Sequence, residues 1–216
     1  MLPYLYTHED FPPIEQALTE PDGLLCAGAD LSVERLIQAY ESGIFPWYNE
    51  DEPILWWSPA ERMVLFSDDI HISKSFAKDI KKHQVQYFLN RNFQIVIEHC
   101  AHIARKDNGT WIHPEMIQAY CQLFERGRAF CLEVELDGKA AGGIYGVITD
   151  HVYCGESMYS LQTNGSKYAL LGLCEHIQSI GVKLIDCQIH NPYLESMGGQ
   201  LIPRSDFIQL LKKQTI

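Results

Sequence analysis

Two carboxylates and a side-chain amide lie on the two strands of one predicted strand–helix–strand unit. Glu156 belongs to a strand over residues 153–160, and Asp186 and Gln188 belong to the strand after the next helix. Asp186 and Gln188 are two residues apart, so a regular strand places both side chains on one side. The three groups are therefore expected to converge on one cleft, where a carboxylate can accept a proton. The alternative is a set of ordinary polar residues at strand ends.

The turn between the first strand and the helix has the features of an anion site. Asn164-Gly165-Ser166 leads into a helix whose apolar residues recur at core spacing. The first backbone N–H groups of a helix lack partners inside the helix, and the helix dipole is positive at this end. The sequence therefore predicts that Ser166 contacts a phosphate or another polar part of a ligand.

A cluster of lysines stands out in an acidic chain. The 216 residues include 17 basic and 28 acidic side chains, which gives a formal net charge of −11. Such a chain as a whole attracts nucleic acid poorly. Ser73 caps a predicted helix with lysines at helical spacing, which predicts a local contact with a phosphate backbone; a solvated helix face is the alternative. These lysines are Lys74, Lys78, Lys81 and Lys82.

Tryptophans concentrate early in the chain. Trp47, Trp56 and Trp57 lie within eleven residues and are interrupted by prolines. Aromatic rings on a loop offer flat faces on which bases can stack. We expect that role for Trp47, which follows a proline on a predicted loop. Trp56 and Trp57 are expected to pack the N-terminal part against the rest of the protein.

Composition favours a folded protein in a reducing compartment. Hydrophobic residues make up 46% and charged residues 21% of the chain, which is enough for a proper core. The seven cysteines include no CxxC pair, which argues against a disulfide scaffold or a zinc ribbon. The first residues lack the features of a signal peptide, and no apolar run approaches the roughly 18 residues of a membrane span. A cytoplasmic protein is therefore predicted.

The predicted elements describe two parts. Residues 1–61 are predicted to form a small N-terminal α/β domain. Residues 62–216 give helices, an antiparallel meander with an Asp137-Gly138 hairpin turn, a helix and a crossing strand. This order predicts a mixed α+β fold with a mostly antiparallel sheet, of the kind that opens around an acyl donor.

Six short motifs, in this order, resemble the leucyl/phenylalanyl-tRNA–protein transferase family. Each motif alone is weak, but together they cover nearly the whole chain. They are Gly43–Trp47 (GIFPW), Leu55–Pro59 (LWWSP), Gly109–Ile112 (GTWI), Cys154–Met158 (CGESM), Ser166-Lys167 and Ile185–Gln188 (IDCQ). The chain departs from the family pattern at Gly165, where relatives usually carry Ala, a mild change. It also departs at Ile144, where relatives often carry Met.

The resemblance implies a fold and a reaction. The fold is that of GNAT acyltransferases with a small N-terminal domain. The reaction moves Leu or Phe, and also Met, from aminoacyl-tRNA to proteins that begin with Arg or Lys, which marks them for degradation. It is the aminolysis of an ester without a metal or acetyl-CoA, so no cofactor is expected. The expected partners are aminoacyl-tRNA and acceptor proteins, with no membrane, and a monomer is expected.

The resemblance also suggests catalytic roles. Asp186 is predicted to anchor the acceptor amine and is the candidate acceptor of its proton. Gln188 is predicted to orient Asp186 or the ester carbonyl. Glu156 is predicted to pair with the guanidinium or ammonium group of the acceptor, since a cationic N-terminal residue needs a carboxylate.

Substrate contacts follow in the same way. Trp47 and Trp111 are predicted to stack on the terminal adenine of the tRNA. Ile144, Gly155 and Leu173 are predicted to form the apolar pocket for the donor side chain. Ser166 would hold a phosphate or polar atoms of the donor, and the lysine cluster would hold the tRNA backbone.

Three other interpretations fit parts of the pattern. An acetyl-CoA-dependent acyltransferase of the same fold would want a glycine-rich pyrophosphate loop, which residues 161–167 match poorly. A transferase that builds cell-wall bridges from aminoacyl-tRNA differs mainly in its substrate. A non-catalytic protein that binds tRNA ends would explain the tryptophans and lysines but not Asp186 and Gln188.

Overall fold

The protein is a mixed α and β structure with two sheets. The computed structural model describes residues 2–103 and 110–212. Within those ranges the strands are β1 (Tyr4–Leu5), β2 (Leu24–Gly28), β3 (Phe45–Pro46), β4 (Leu55–Trp57), β5 (Glu61–Phe66), β6 (Val85–Leu89), β7 (Ala129–Leu136), β8 (Lys139–Ile148), β9 (Val152–Ser160), β10 (Leu184–Gln188) and β11 (Gln200–Pro203). The α-helices are α1 (Val33–Glu41), α2 (Lys74–Ile80), α3 (Phe93–His102), α4 (Pro114–Glu125), α5 (Gly165–Ser179), α6 (Pro192–Ser196) and α7 (Arg204–Leu211).

The larger sheet carries the centre of the fold. In the described residues its strand order is β11-β5-β10-β9-β8-β7-β6. Its neighbours pair antiparallel except for β9 and β10, which pair parallel because α5 crosses over between them. The smaller sheet has the order β1-β2-β4-β3. The predicted α+β class with a mostly antiparallel sheet is confirmed.

Apolar residues cover both faces of the larger sheet. One face packs against α1, α3, α4 and the smaller sheet, and Trp56 and Tyr120 are fully buried there. The other face packs against α2 and α5, through residues such as Phe76 and Leu173. The smaller sheet ends before β5 begins, but it shares one apolar core with the larger sheet. The domain boundary at residue 61 stays a prediction.

Local sequence signals account for several boundaries of these elements. Asp137 and Gly138 have φ angles of +52° and +73°, as a two-residue hairpin turn requires, and they join β7 to β8. Ser73 accepts a hydrogen bond from the Phe76 amide at 3.2 Å and begins α2 as predicted. Gly109, in one of the six motifs, lies outside the described residues. No helix of the described ranges is long and apolar enough to cross a membrane.

Gly165 lies where the chain has no room for a methyl group. An ideal Cβ on Gly165 would be 1.9 Å from the carbonyl oxygen of Ala141 in β8. The Gly165→Ala substitution, which the family resemblance presented as mild, is therefore expected to lower the free energy of unfolding by about 1–3 kcal/mol. Urea denaturation measures this. Gly155→Ala is the control, because the atoms nearest its Cβ lie 3.6 Å away; equal stability of the two variants would contradict the prediction.

Candidate active site where two strands separate

The candidate site lies where β9 and β10 separate. The described parallel pairing of these strands runs from Leu184 opposite Val152 to Asp186 opposite Cys154. Beyond it both strands are irregular, since β9 shifts register against β8 near Gly155 and β10 shifts register against β5 after Asp186. Such bulges bend a strand and redirect its side chains. A cavity of about 360 Å³ is lined by residues from both strands.

The cavity combines an apolar wall with a few polar groups, which is the usual composition of a small-molecule site. Its apolar wall includes Ile144 from β8, Met158 from β9, Leu170 from α5 and Ile185 from β10. The polar residues that line it are Glu156, Ser157, Gln188 and Asn191. No group of three or more histidine, cysteine or carboxylate side chains placed to hold a metal ion occurs in the described part of the chain.

Glu156 and Gln188 join the two separating strands through their side chains. Gln188 Nε2 donates to Glu156 Oε1 at 2.8 Å, and the Tyr120 hydroxyl donates to Glu156 Oε2 at 3.0 Å. Burial raises the pKa of Glu156 to about 7, although hydrogen bonds from Tyr40, Tyr120 and Gln188 act to lower it. A carboxyl group with a pKa near neutrality can both take up and release a proton at physiological pH.

The raised pKa of Glu156 makes protein stability depend on pH. The folded protein keeps this proton up to about pH 7, whereas the unfolded chain releases it near pH 4.5. The contribution is therefore complete below pH 4.5 and is lost as the pH rises through about 7. The free energy of unfolding of the wild-type protein, minus that of Glu156→Gln at the same pH, is expected to fall by roughly 3 kcal/mol between pH 4.5 and pH 8. Urea denaturation at both pH values measures it, and a constant difference would contradict it.

Gln188 has an unusual backbone that fixes the position of its side chain. Its φ angle is +61°, in the left-handed region, which costs about 1–2 kcal/mol for a residue with a Cβ. The Asp186 carboxylate accepts the Gln188 backbone N–H at 2.9 Å and stabilises this conformation. Strained residues of this kind concentrate at functional sites. The amide of Gln188 is therefore held in place by its own strand.

Asp186 itself lies beneath the cavity and is paired with Arg62. Arg62 donates to Asp186 Oδ1 from Nε at 2.8 Å and to Oδ2 from Nη2 at 2.7 Å, and both side chains are almost completely buried. The Arg62 guanidinium also lies 4.8 Å from the ring centre of Phe45 and 4.6 Å from that of Phe207. The ion pair thus connects β5, β10, the end of the smaller sheet and α7.

This geometry corrects the predicted placement of Asp186, while its predicted role stays a prediction. The prediction placed Asp186 and Gln188 on one side of a regular strand, but the register shift between them breaks the alternation. Asp186 is absent from the cavity wall, and both of its oxygens bind Arg62. Sequence reasoning missed Arg62 because 124 residues separate the two partners. A buried carboxylate is itself a reason to look for a cationic partner.

Trp47 and Trp111 both line the cavity, as the stacking prediction requires. Trp47 has 41% of its surface exposed, and its carbonyl oxygen accepts a hydrogen bond from Trp57 Nε1 at 2.6 Å. Trp57 thus supports the loop that carries Trp47. Trp56 is fully buried and donates to the Gly28 carbonyl at 2.9 Å, which confirms the packing role predicted for it.

Of the three residues predicted to form the apolar pocket for the donor side chain, two line the cavity and one does not. Ile144 and Gly155 line the cavity as predicted. Leu173 is a correction, since it lies in α5 with its side chain fully buried in the core, and Leu170, three residues earlier, lines the cavity instead.

Ser166 is a second correction, because the first amides of α5 have partners within the chain. The Gly165 N–H donates to the Gln162 carbonyl at 3.0 Å, and the Ser166 N–H donates to Ser160 Oγ at 2.8 Å. The Ser166 hydroxyl is 2.9 Å from the Tyr193 hydroxyl. These groups are therefore engaged in holding the turn, and Ser166 does not line the cavity.

All four lysines of the cluster are exposed, but only two of them belong to a helix. Lys74 and Lys78 lie in α2, whereas Lys81 and Lys82 follow the end of that helix at Ile80. Asp79 of α2 accepts hydrogen bonds from Asn164 Nδ2 at 2.9 Å and from the Tyr168 hydroxyl at 3.1 Å. These bonds attach the lysine-bearing helix to the first turn of α5, next to the sheet that carries the cavity.

A carboxyl group with a pKa near neutrality and an amide beside an apolar cavity are features of a site that could transfer a group. Residues 64–212 match the family model described as leucyl/phenylalanyl-tRNA protein transferase, and residues 29–60 match the model of its N-terminal domain. The chain belongs to the leucyl/phenylalanyl-tRNA protein transferase family, and it is an aminoacyltransferase whose substrates are aminoacyl-tRNA and protein.

Individual relatives are similar over almost their whole length. A leucyl/phenylalanyl-tRNA–protein transferase from Nitrosomonas eutropha is 49% identical over 215 residues, which span 100% of this chain and 92% of the relative. The enzyme of the same name from Flavobacterium johnsoniae is 47% identical over 98% of this chain and 99% of its own. Among solved structures, a GCN5-related N-acetyltransferase from Kribbella flavida aligns with a TM-score of 0.41 at 13% identity, over 78% of this chain and 59% of that one.

Proposed function

We propose that this aminoacyltransferase moves Leu or Phe, and also Met, from aminoacyl-tRNA to the N-terminal Arg or Lys of acceptor proteins, and thereby marks them for degradation. The observation that carries the proposal is the Glu156–Gln188 pair at an apolar cavity with two tryptophans in its wall. Because its donor is a charged tRNA, we place the reaction in the cytoplasm. A single chain supplies every group invoked, so a monomer suffices.

The cavity suits an aminoacyl group at the end of an RNA chain. Ile144, Leu170 and Ile185 offer an apolar wall to the donor side chain. Such a wall separates similar hydrophobic side chains poorly, because one methylene is worth only about 1–3 kcal/mol, so Leu, Phe and Met are all accepted. Trp47 and Trp111 offer rings on which the terminal adenine stacks.

Glu156 and Gln188 then serve the chemical step. The acceptor's α-amine attacks the ester carbonyl carbon, a C–N bond forms, and the C–O bond to the ribose breaks. Glu156 pairs with the attacking amine, accepts its proton and returns it to the leaving ribose oxygen. The Gln188 amide has a second N–H for the developing oxyanion. With an ordinary α-amine pKa of about 7.7–8.0, part of the acceptor is already neutral at pH 7, so orientation supplies much of the acceleration.

The lysine cluster is assigned to the tRNA backbone. Each phosphate contact that is lost lowers the slope of log affinity against log salt by roughly 0.7–0.9. The variant with Lys74→Glu and Lys78→Glu is therefore expected to bind tRNA more weakly and with a shallower salt dependence, measured by filter binding between 50 and 200 mM salt, the range over which such contacts weaken by orders of magnitude. Lys183→Glu, at an exposed lysine after the far end of α5, is the control. Equal salt slopes for both variants would remove the cluster from the interface.

A transfer assay with purified protein tests the proposed function. Labelled leucine on Leu-tRNA is offered to a protein that begins with Arg, with metals chelated and no cofactor added. We expect labelled acceptor, and no label when the N-terminal Arg is replaced by Ala. Tight tRNA binding without transfer to either protein would favour the non-catalytic tRNA-end binder over the proposed acceptor reaction.

A further inference from the structure

Two buried tyrosine hydroxyls lie behind Glu156 and have no part in the reaction described above. Tyr120 is on α4 and donates to Glu156 Oε2 at 3.0 Å, and its oxygen is 2.5 Å from the hydroxyl of Tyr40 on α1. The two residues have 0% and 2% of their surface exposed. A hydroxyl taken out of water needs a hydrogen-bond partner. The partners of these two hydroxyls are each other and the Glu156 carboxylate.

Counting protons fixes the direction of this chain of hydrogen bonds. A phenol has one proton, so a Tyr120 hydroxyl that donates to Glu156 must accept from Tyr40. With Glu156 ionised, both phenol protons therefore have acceptors. A proton on Glu156 Oε2 would put three protons into the two contacts, whereas the ionised carboxylate can accept hydrogen bonds from both tyrosines, each of which acts to lower the pKa of Glu156. The tyrosine pair therefore favours the ionised carboxylate, against the effect of burial.

We propose that Tyr40 and Tyr120 are positioning residues of the transfer reaction, whose coupled hydroxyls hold the Glu156 carboxylate in one orientation and favour its ionised form. Tyr40 belongs to α1, among the first 61 residues, so the N-terminal part of the chain takes part in catalysis through this contact. The inference rests on the proposed function, in which ionised Glu156 accepts the proton of the amine.

Other groups around Glu156 leave it as the one that titrates near neutrality. The groups that face Glu156 or its two tyrosines are Tyr40, Tyr120, Tyr145, Tyr153, Cys154, Arg62 and Asp186. Burial raises the pKa values of Tyr40, Tyr120 and Cys154 well above their ordinary range, so they stay neutral. Asp186 and Arg62 form an ion pair with each other.

The pH dependence of kcat/KM, calculated for the neutral fraction of the acceptor amine so that the amine's own titration is removed, tests the inference with Tyr120→Phe and Tyr40→Phe. Loss of a donor to a carboxylate raises its pKa, so the midpoint of the acid limb is expected to move up by about one pH unit in Tyr120→Phe, and to move up in Tyr40→Phe as well. One unit below the wild-type midpoint, Tyr120→Phe would then be nearly tenfold slower than the wild type. Well above both midpoints, the rates would differ by a smaller factor.

Tyr153→Phe is the matched control, because Tyr153 is also fully buried but donates to the Phe130 carbonyl at 3.2 Å. Its midpoint is expected to equal that of the wild type. A midpoint does not depend on how much of a variant folds, so reduced stability alone cannot imitate the shift. Unshifted midpoints in both Tyr120→Phe and Tyr40→Phe would overturn the inference.

A second measurement needs no activity. The infrared band of the Glu156 carboxyl, obtained as the difference between the wild-type protein and Glu156→Gln, is titrated in each tyrosine variant. The same upward shift is expected. Absence of transfer by the wild-type protein would refute the proposed function, whereas a Glu156 titration unchanged by Tyr120→Phe would refute the positioning role.

Discussion

Replacing Glu156 with Gln is expected to lower kcat/KM for transfer by a factor of about 10²–10⁴, the usual contribution of a positioned acid or base. Gln has nearly the same shape as Glu, and its carbonyl oxygen can still accept the hydrogen bond from Tyr120 or from Gln188. What it lacks is the ability to take the proton of the attacking amine. The measurement is single-turnover transfer of leucine from Leu-tRNA at saturating acceptor, and the loss is expected in the rate rather than in donor binding.

Glu133→Gln provides the matched control for this result. Glu133 is a buried glutamate, with 7% of its surface exposed, but it lies on β7, binds Arg91 and does not line the cavity. Its replacement is expected to leave the rate within a few-fold of the wild type. A folded Glu156→Gln variant that retains a tenth or more of the wild-type rate would exclude Glu156 as the proton acceptor.

Breaking the buried ion pair between Asp186 and Arg62 is expected to have the largest effect on stability. Asp186→Asn leaves the Arg62 guanidinium, with 1% of its side chain exposed, without a counter-charge. Removing one partner of a buried pair typically lowers the free energy of unfolding by about 3–5 kcal/mol. Urea denaturation measures it. The exposed pair of Arg128 and Glu41 is the control, since Glu41→Gln is expected to cost at most about 1 kcal/mol.

The same variants separate two roles for Asp186. If Asp186 acts chiefly as the counter-charge of Arg62, the double variant with Arg62→Met and Asp186→Leu regains much of the stability lost in either single variant, because no unpaired charge remains. A proton-accepting Asp186 predicts instead that Asp186→Asn loses about 10²–10⁴ in rate while keeping wild-type stability. That outcome would overturn the arrangement described for the site.

Much of the fold follows from local patterns in the sequence. The Asp137-Gly138 hairpin, the capped helix after Ser73 and the strand–turn–helix around Asn164 all form close to the predicted residues, because each depends on a few neighbouring side chains. The short elements β11 and α6 were not predicted. Their stability comes from pairing with β5 and from packing, which a local pattern does not record.

The sequence identified most residues of the site, but not how those residues are arranged. Glu156, Gln188, Trp47, Trp111, Ile144 and Gly155 all line the cavity. Asp186 was misplaced because the rule that residues two apart share a face fails at a bulge. Arg62, Tyr40 and Tyr120 were missed because their roles depend on contacts between distant segments, as in the 80 residues between the two tyrosines.

The most direct test of the site is a crystal structure with a stable analogue of the donor, an aminoacyl-adenosine in which an amide replaces the ester. We expect the amino-acid side chain to lie against Ile144, Leu170 and Ile185 and the amide carbonyl to accept a hydrogen bond from the Gln188 side chain. We also expect Asp186 to stay paired with Arg62. An analogue bound elsewhere, or one that contacts Asp186 after the ion pair has opened, would contradict the account.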